Sequence, residues 1–211
     1  MKFLISGGTG LIGSQITKLL INNGHQINIL SRKSKISKTL NIKYYLWDPK
    51  SKKIDERCLD DVEVIINLAG SSVFSLWIPS VKRKIINSRL NSLSTIYELL
   101  NNKKHKVKHL ISASAIGIYP NHQTISYSES SDFTIKSYLA DVVQKWESKA
   151  NDFKKLKLKV SILRIGLVLS KNGGILEKLI QFNKLRIVNT IDGGNQWQSW
   201  INLDDLANMF Y

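Results

Sequence analysis

Three observations predict an α/β fold built on a parallel, doubly wound sheet. The chain of 211 residues opens with a short apolar run, Phe3-Leu4-Ile5, that breaks at glycines spaced G-x-x-G-x-x-G, namely Gly7, Gly10 and Gly13. From there, short apolar runs alternate with longer segments of helical period to the end of the chain, the pattern of strand–helix–strand units. A hydrophobic fraction of 43% supports one substantial core, and neither repeats nor low-complexity segments interrupt it.

Taken in order, Phe3, Leu4 and Ile5 read as a buried strand, and Leu11, Ile12, Ile16, Leu19 and Leu20 recur as one face of an amphipathic helix. Gly24-His25 reads as that helix's C-cap and turn, and residues 26–30 as the second strand. Residues 34–60 are polar around one short strand, residues 43–47, which stops at Asp48-Pro49. Residues 62–67 form a strongly apolar strand that runs into Leu68-Ala69-Gly70, small enough to let a ligand lie across the sheet. A helix beyond Trp77 carries Lys82, Ile85, Ile86 and Arg89 on one face and continues through Leu93, Ile96, Leu99 and Leu100. Residues 107–114 are a further strand, 120–135 a loop, and about 137–150 a helix. Residues 157–163 alternate as a strand before Arg164-Ile-Gly166-Leu-Val168. Gly173-Gly174 opens another apolar-patterned segment. Gly193-Gly194 leads through Gln196 and Trp200-Ile201 to a last helix at Leu203, with Asp204 and Asp205 as its expected cap.

The glycine turn carries the first chemical signal. A tight turn after a strand needs a first residue without Cβ, a second Gly lets a phosphate approach the backbone, and a third lets helix and strand pack closely. The free N–H groups and positive dipole end of the following helix then face the anion, so the motif points to a dinucleotide. At the end of the second strand a carboxylate would select NAD, whereas a cation accommodates the 2′-phosphate of NADP. The chain has Ser31-Arg32-Lys33 there, which favours NADP(H); the alternative is that Arg32 is a solvated loop cation. Arg89 reads equally as a diphosphate ligand or as part of a solvated basic face.

Other classes are set aside by bulk properties. Cys58 is the one cysteine, which excludes an internal disulfide and points to a reducing, cytoplasmic setting. No apolar run approaches the ~20 residues of a membrane helix, and Gly7 and Gly10 interrupt the start before a signal-peptide core. The formal charge of +15 comes from lysines spread along a chain visibly rich in Lys, Asn and Ile, so no nucleic-acid partner is expected. His25, His105, His109 and His122 lack ligand spacing, and no metal is expected.

The assembled motifs resemble the extended, atypical short-chain dehydrogenase/reductases, and within them the NAD(P)-dependent epimerase-family branch sometimes labelled cell-division-inhibitor-like. They are Gly7-Gly-Thr-Gly-Leu-Ile-Gly13, Ser31-Arg32, Ile66-Asn-Leu-Ala-Gly70, Trp77 with Lys82 and Ser88-Arg89, and Ser112-Ala-Ser114-Ala with Tyr119. Trp146-Glu147, Arg164-Ile-Gly166-Leu-Val168-Leu, Gly173-Gly174, and Gln196 with Ser199-Trp200-Ile201 complete the set, over residues 1 to about 207. The resemblance implies a Rossmann fold with helices on both faces and bound NADP(H). Its cofactor contacts would be Gly7, Thr9, Gly10, Leu11, Ile12, Gly13, Ser31, Arg32, Leu68, Ala69, Arg89 and Val168. It divides the chain into an NADP(H)-binding domain over 1–170 and a partial, truncated substrate-lobe segment over 171–211. Three departures accompany it. The superfamily's Tyr-x-x-x-Lys positions hold Leu139 and Val143, with Tyr138 one residue off and so turned about 100° away on a helix. Asn202 stands where the family has His, and the chain ends at Tyr211 as the last helix begins.

By the same resemblance Ser114 is the catalytic hydroxyl that binds a substrate carbonyl or hydroxyl; Tyr119, a phenol near a cationic nicotinamide, is the candidate proton carrier, the alternative being a packed aromatic. Trp77, Trp146 and Trp200 read as core or pocket walls. Two functions are left open: an NADP(H)-dependent oxidoreductase or epimerase on a small, perhaps nucleotide-linked, substrate, or a non-catalytic NADP(H)-binding protein. A homodimer is left open as well.

Overall fold

Main-chain pairing is organised around Lys2–Ser6 (β1), which lies at the centre of a seven-stranded sheet in the computed structural model. The structure describes residues 1–131, 137–171, 173–184, 194 and 197–211. On one side of β1 lie Gln26–Ser31 (β2), Ile42–Asp48 (β3) and Lys53–Ile54 (β4). On the other lie Val64–Asn67 (β5), His109–Ala115 (β6) and Lys159–Ile165 (β7). All neighbours are parallel except β3 and β4. The chain therefore leaves β1 in one direction, then returns to its other side, and the switch point falls beside β1 at the strands' carboxyl ends.

Helices α1 (Leu11–Asn22), α2 (Pro79–Asn102) and α3 (Tyr138–Asn151) make the crossovers. Right-handed crossovers run in opposite directions from β1 place α1 on one face and α2 with α3 on the other. Leu203–Met209 (α5) packs beside α1, and α3 beside α2. Leu4, Ile5, Ile65 and Ile66 are wholly buried, as strands covered on both faces must be. Each such side chain contributes about 1.5–3 kcal/mol by leaving water. Leu167–Ser170 (β8) and Trp200–Asn202 (β9) pair in a separate two-stranded sheet, with Gly174–Lys184 (α4) packed on β8. No helix among the described residues is long and apolar enough to cross a membrane.

Local chemistry explains the boundaries. Gly24 takes a φ of +76°, and the amides of Gly24 and His25 bond back to Ile21 and Leu20, closing α1 as its sequence predicts. Ser137 caps α3 by accepting from the amide of Ala140. The cap of α5 differs from the expectation. Asn202 accepts from the amide of Asp204 at 2.7 Å, while Asp204 and Asp205 lie in the first turn, where their charge complements the helix dipole. Residues 34–60 also hold more structure than their polarity suggests. Asp48 accepts from the Lys50 amide and the Ser51 hydroxyl and turns the chain so that β4 folds back on β3. A 3-10 turn over Glu56–Leu59 then buries Cys58 and Leu59. A two-residue strand is too short to show a period, which is why the sequence conceals it. Of the three tryptophans, Trp146 is core, whereas Trp77 and Trp200 are 40% and 65% exposed, so neither of those two is a core residue.

Candidate active site

The glycine turn meets the end of β5. Gly7 stands at φ +76°, and a Cβ there would lie 2.9 Å from the Leu68 carbonyl carbon and 3.1 Å from the Ala69 nitrogen. Gly13 lies closer still to the turn, where a Cβ would sit 2.3 Å from the Gly7 oxygen. The Gly10 amide bonds to the Gly7 carbonyl at 3.0 Å and closes the turn. Gly10 caps α1 without any side-chain hydrogen bond, and the first turn holds no carboxylate. Its leading N–H groups therefore keep their attraction for an anion.

Arg89 of α2 adjoins this place. A Cβ on Gly70 would lie 3.1 Å from its guanidinium carbon, which itself sits 4.9 Å above the centre of the Trp146 ring. Its Nη1 donates to the carbonyls of Ser71 (3.1 Å) and Ile85 (2.9 Å), and among the described residues no carboxylate forms an ion pair with it. Burial lowers its pKa, with a smaller opposing effect from Tyr138. A desolvated cation held by neutral acceptors suits an anionic ligand. Ser88 donates to the Ile85 carbonyl and accepts from the Ser71 amide, fixing the loop after Gly70. The Tyr138 hydroxyl donates to the Lys82 carbonyl at 2.8 Å, and Trp77 meets the Tyr138 ring edge-on. Tyr138 thus ties α3 to the start of α2.

At the end of β2, Ser31 is buried. Its hydroxyl donates to the Lys33 carbonyl and accepts from the Lys33 amide, which shapes the following turn and leaves Arg32 exposed. Between β1, β5 and α2, Asn67 accepts from Ser6 (2.6 Å) and Ser92 (2.7 Å) and donates to Ser112 (3.4 Å). These small buried polar residues tie three strand ends together. Leu11 bridges to the second sheet: Cβ atoms on Gly173 and Gly174 would meet it at 2.9 and 3.3 Å, and Gly174 also lies beside the Val168 carbonyl. The sequence-predicted Gly7, Leu68, Ala69 and Arg89 are thus contiguous, and Leu11 and Val168 meet through Gly174. Thr9 and Gly10 are exposed at the turn, and Ile12 packs against the core.

The other end of the site is a closed network. The Ser114 hydroxyl donates to Glu147 Oε1 at 2.5 Å. Arg164, at the end of β7, grips both oxygens of Glu147, from Nε and Nη2 at 2.9 Å each, and its Nη1 donates to the Tyr119 hydroxyl at 2.9 Å. The guanidinium lies 5.3 Å over the Tyr119 ring, and Tyr127 stacks on that ring at 5.8 Å. Glu147 first, and Tyr119 to a smaller degree, raise the pKa of Arg164, against burial. Ser114 and Tyr119 are brought together, but through Glu147 and Arg164. Those two residues were missed as functional: they appear in the sequence only inside longer motifs. The signal available was Arg164, a basic residue set in the otherwise apolar run Ile162-Leu163-Arg164-Ile165, which requires a partner when buried. Trp146, beside Glu147 on α3, carries Arg89 on its ring, so the two ends share one helix.

Gln196 and Gly193 lie outside the described residues. Trp197 donates from Nε1 to the Gln123 carbonyl at 2.8 Å. Among the described residues no cluster of His, Cys, Asp or Glu is fit to hold a metal. A cavity of about 720 Å³ opens elsewhere, beside Glu56, Asp61, Lys103 and Lys106. Its charges pair with one another, Lys103 with Glu56 and Lys106 with Asp61, and it contains no residue of the arrangement above.

Known proteins match this geometry. The sequence profile described as NAD dependent epimerase/dehydratase family matches residues 3–211. Epimerase family proteins of Staphylococcus epidermidis and Staphylococcus saprophyticus are 36% and 37% identical over 205 residues, which is 97% of this chain and 68% of each relative. A nucleoside-diphosphate sugar epimerase from Corynebacterium glutamicum is 28% identical with a TM-score of 0.82, covering 100% of this chain and 43% of that one. A human epimerase family protein, solved with NADPH, is 24% identical with a TM-score of 0.81, covering 100% and 68%.

Proposed function

The chain belongs to the NAD dependent epimerase/dehydratase family of extended short-chain dehydrogenase/reductases, and on that premise we propose that it is an NADP(H)-dependent oxidoreductase or epimerase acting on a hydroxyl or carbonyl carbon of a small substrate. The observation that carries this reading is the contiguity of the Gly7 turn, Leu68-Ala69 and an Arg89 that pairs with no carboxylate among the described residues. The turn fits a dinucleotide, because its backbone packs too closely at Gly7 and Gly13 to admit a Cβ and the leading amides of α1 have no side-chain cap. Those amides and Arg89 would hold the diphosphate, and Leu68, Ala69 and Val168 would flank the cofactor. Ser31 and Arg32 would take the adenosine ribose and its 2′-phosphate. The preference for NADP(H) over NAD(H) rests on that exposed Arg32 and the absence of a carboxylate at the end of β2.

A bound nicotinamide supplies or accepts a hydride. Ser114, its own proton held by Glu147, would accept from the substrate in its hydroxyl form, and Tyr119 would carry the proton exchanged with the carbonyl form, each oriented by its neighbour in the Glu147–Arg164 network. A sugar nucleotide is the substrate class we favour, since the neighbour from Corynebacterium glutamicum acts on that class. The second reading, a non-catalytic NADP(H)-binding protein, draws support from Leu139 and the buried Val143 in the places of the superfamily's Tyr and Lys. We assign the protein to the cytoplasm on its single reduced, buried cysteine.

Thermal unfolding with NADPH, NADP⁺, NADH and NAD⁺ in parallel tests the proposal. A ligand at 100 times its Kd stabilises by ~2.7 kcal/mol, a plain shift in Tm. The expected result is a shift with the NADP(H) pair that Arg32→Asp abolishes. No shift with any of the four refutes cofactor binding. A shift without turnover of any UDP-sugar, and without effect of Ser114→Ala, favours the non-catalytic reading.

A further inference from the structure

The Ser114–Glu147–Arg164–Tyr119 network has a fixed polarity. A guanidinium only donates, so Tyr119 accepts from Arg164 at 2.9 Å and its own proton points elsewhere. Glu147 receives two bonds from Arg164 and is an ionised acceptor, so Ser114 must donate to it. The Ser114 oxygen therefore meets any further partner with its lone pairs. Both candidate chemical groups are thus oriented by one ion pair, whose side chains are 21% and 13% exposed.

We propose that Arg164 is the positioning residue of this acid–base pair: anchored by Glu147, it presents a cation to the Tyr119 hydroxyl from the end of β7. In the wider superfamily a lysine on the helix after the Ser strand has that task, and here Val143 fills its place, buried. The two solutions come from different elements. The cation arrives from the neighbouring strand, in register beside Ser114, and not from one helical turn along α3. A fork is needed, because one side chain must reach a carboxylate and a phenol together, which a lysine's point charge does less well. The inference rests on the catalytic reading above, in which Tyr119 carries the proton.

The test uses the full chain labelled with 3-fluorotyrosine, followed by 19F NMR across pH, with the Tyr119 resonance assigned by Tyr119→Phe. The charged or titratable groups facing its ring and hydroxyl, among the described residues, are Arg164 of β7, Tyr127 of the following loop and, behind Arg164, Glu147 of α3. Arg164→Met should move the Tyr119 titration to higher pH, because a phenolate there would lose the cation against its oxygen. Glu147→Gln should move it to lower pH, because the cation is then uncompensated; this variant keeps the arginine and decides the matter if Arg164→Met does not fold. Arg164→Lys should return it part of the way. An ion pair that does not present its cation to the phenol in solution predicts no such opposite movement, and a Tyr119 titration unchanged in both variants overturns the inference. NADPH-induced thermal shifts in the same variants separate the two claims: absence of a shift in the wild type counts against cofactor binding alone, since the titration is read without cofactor.

Discussion

Arg89 and Arg164 meet neighbouring residues of α3, Trp146 and Glu147, and are held in contrary ways. Among the described residues Arg89 pairs with no carboxylate and is held by two carbonyl oxygens and an indole ring, and burial lowers its pKa. Arg164 is forked onto Glu147, which raises its pKa. The first has no ion-pair partner among the described residues; the second is compensated by Glu147. The backbone repeats the contrast. The leading amides of α1 lack a side-chain cap, whereas α3 is capped by Ser137. On the proposed function, one end of the site would receive charge and the other would hold hydroxyl groups in fixed directions.

Substitutions sharpen this contrast, and the largest effect belongs to the turn. Gly13→Ala would place a methyl 2.3 Å from the Gly7 oxygen and 2.6 Å from the Gly8 Cα, both backbone. We expect a loss of about 3 kcal/mol in urea unfolding and no remaining NADPH shift. Arg164→Met comes next, because it leaves Glu147 with no cation in a mostly buried place. We expect a loss of about 2 kcal/mol, less than for a fully buried pair since part of both side chains is exposed. Arg89→Met should do the reverse. It removes a desolvated charge that no carboxylate balances, so the free protein should keep or gain stability while NADPH affinity falls about tenfold or ~1.4 kcal/mol, read by isothermal titration. Equal destabilisation of the free protein by both variants would break the comparison.

The smallest expected effect is at the opposite end of the sheet. Burial, and then the charge of Lys159, lower the pKa of His109. A folded value below the unfolded one, about 6.5, means that the unfolded chain binds the proton more readily. The stability it contributes is therefore complete above about pH 6.5 and is lost as pH falls through the folded value. His109→Gln should flatten that part of the stability curve, and an unchanged slope in urea unfolding between pH 7 and 5 would show that His109 is not its source.

The alternation that predicted the sheet was readable because parallel strands are buried on both faces. Ile5, Ile65 and Ile66 have to be apolar wherever the strand lies in the order. Gly24 and the Gly7 turn were readable for a related reason: both take a positive φ that few other residues tolerate, so their demand is local. The β4 hairpin was not readable, since two residues carry no period and the turn depends on Asp48 reaching Ser51 and Lys50. Nor was the cap of α5, where Asn202, Asp204 and Asp205 are all plausible caps by type and only geometry selects Asn202.

By itself, the sequence determined the strand–helix alternation and the glycine turn, because each is a matter of residue type at short spacing, while its resemblance to a family singled out Ser114 as a candidate. Tertiary structure alone decided that Glu147, Arg164, Ser114 and Tyr119 form one network. Seventeen residues separate Glu147 from Arg164 and 45 separate Tyr119 from Arg164. Their meeting depends on β6 and β7 lying side by side in register and on α3 packing over them. Charge pairing across such distances has no periodic trace in the chain, since it follows from the order in which strands are laid into the sheet.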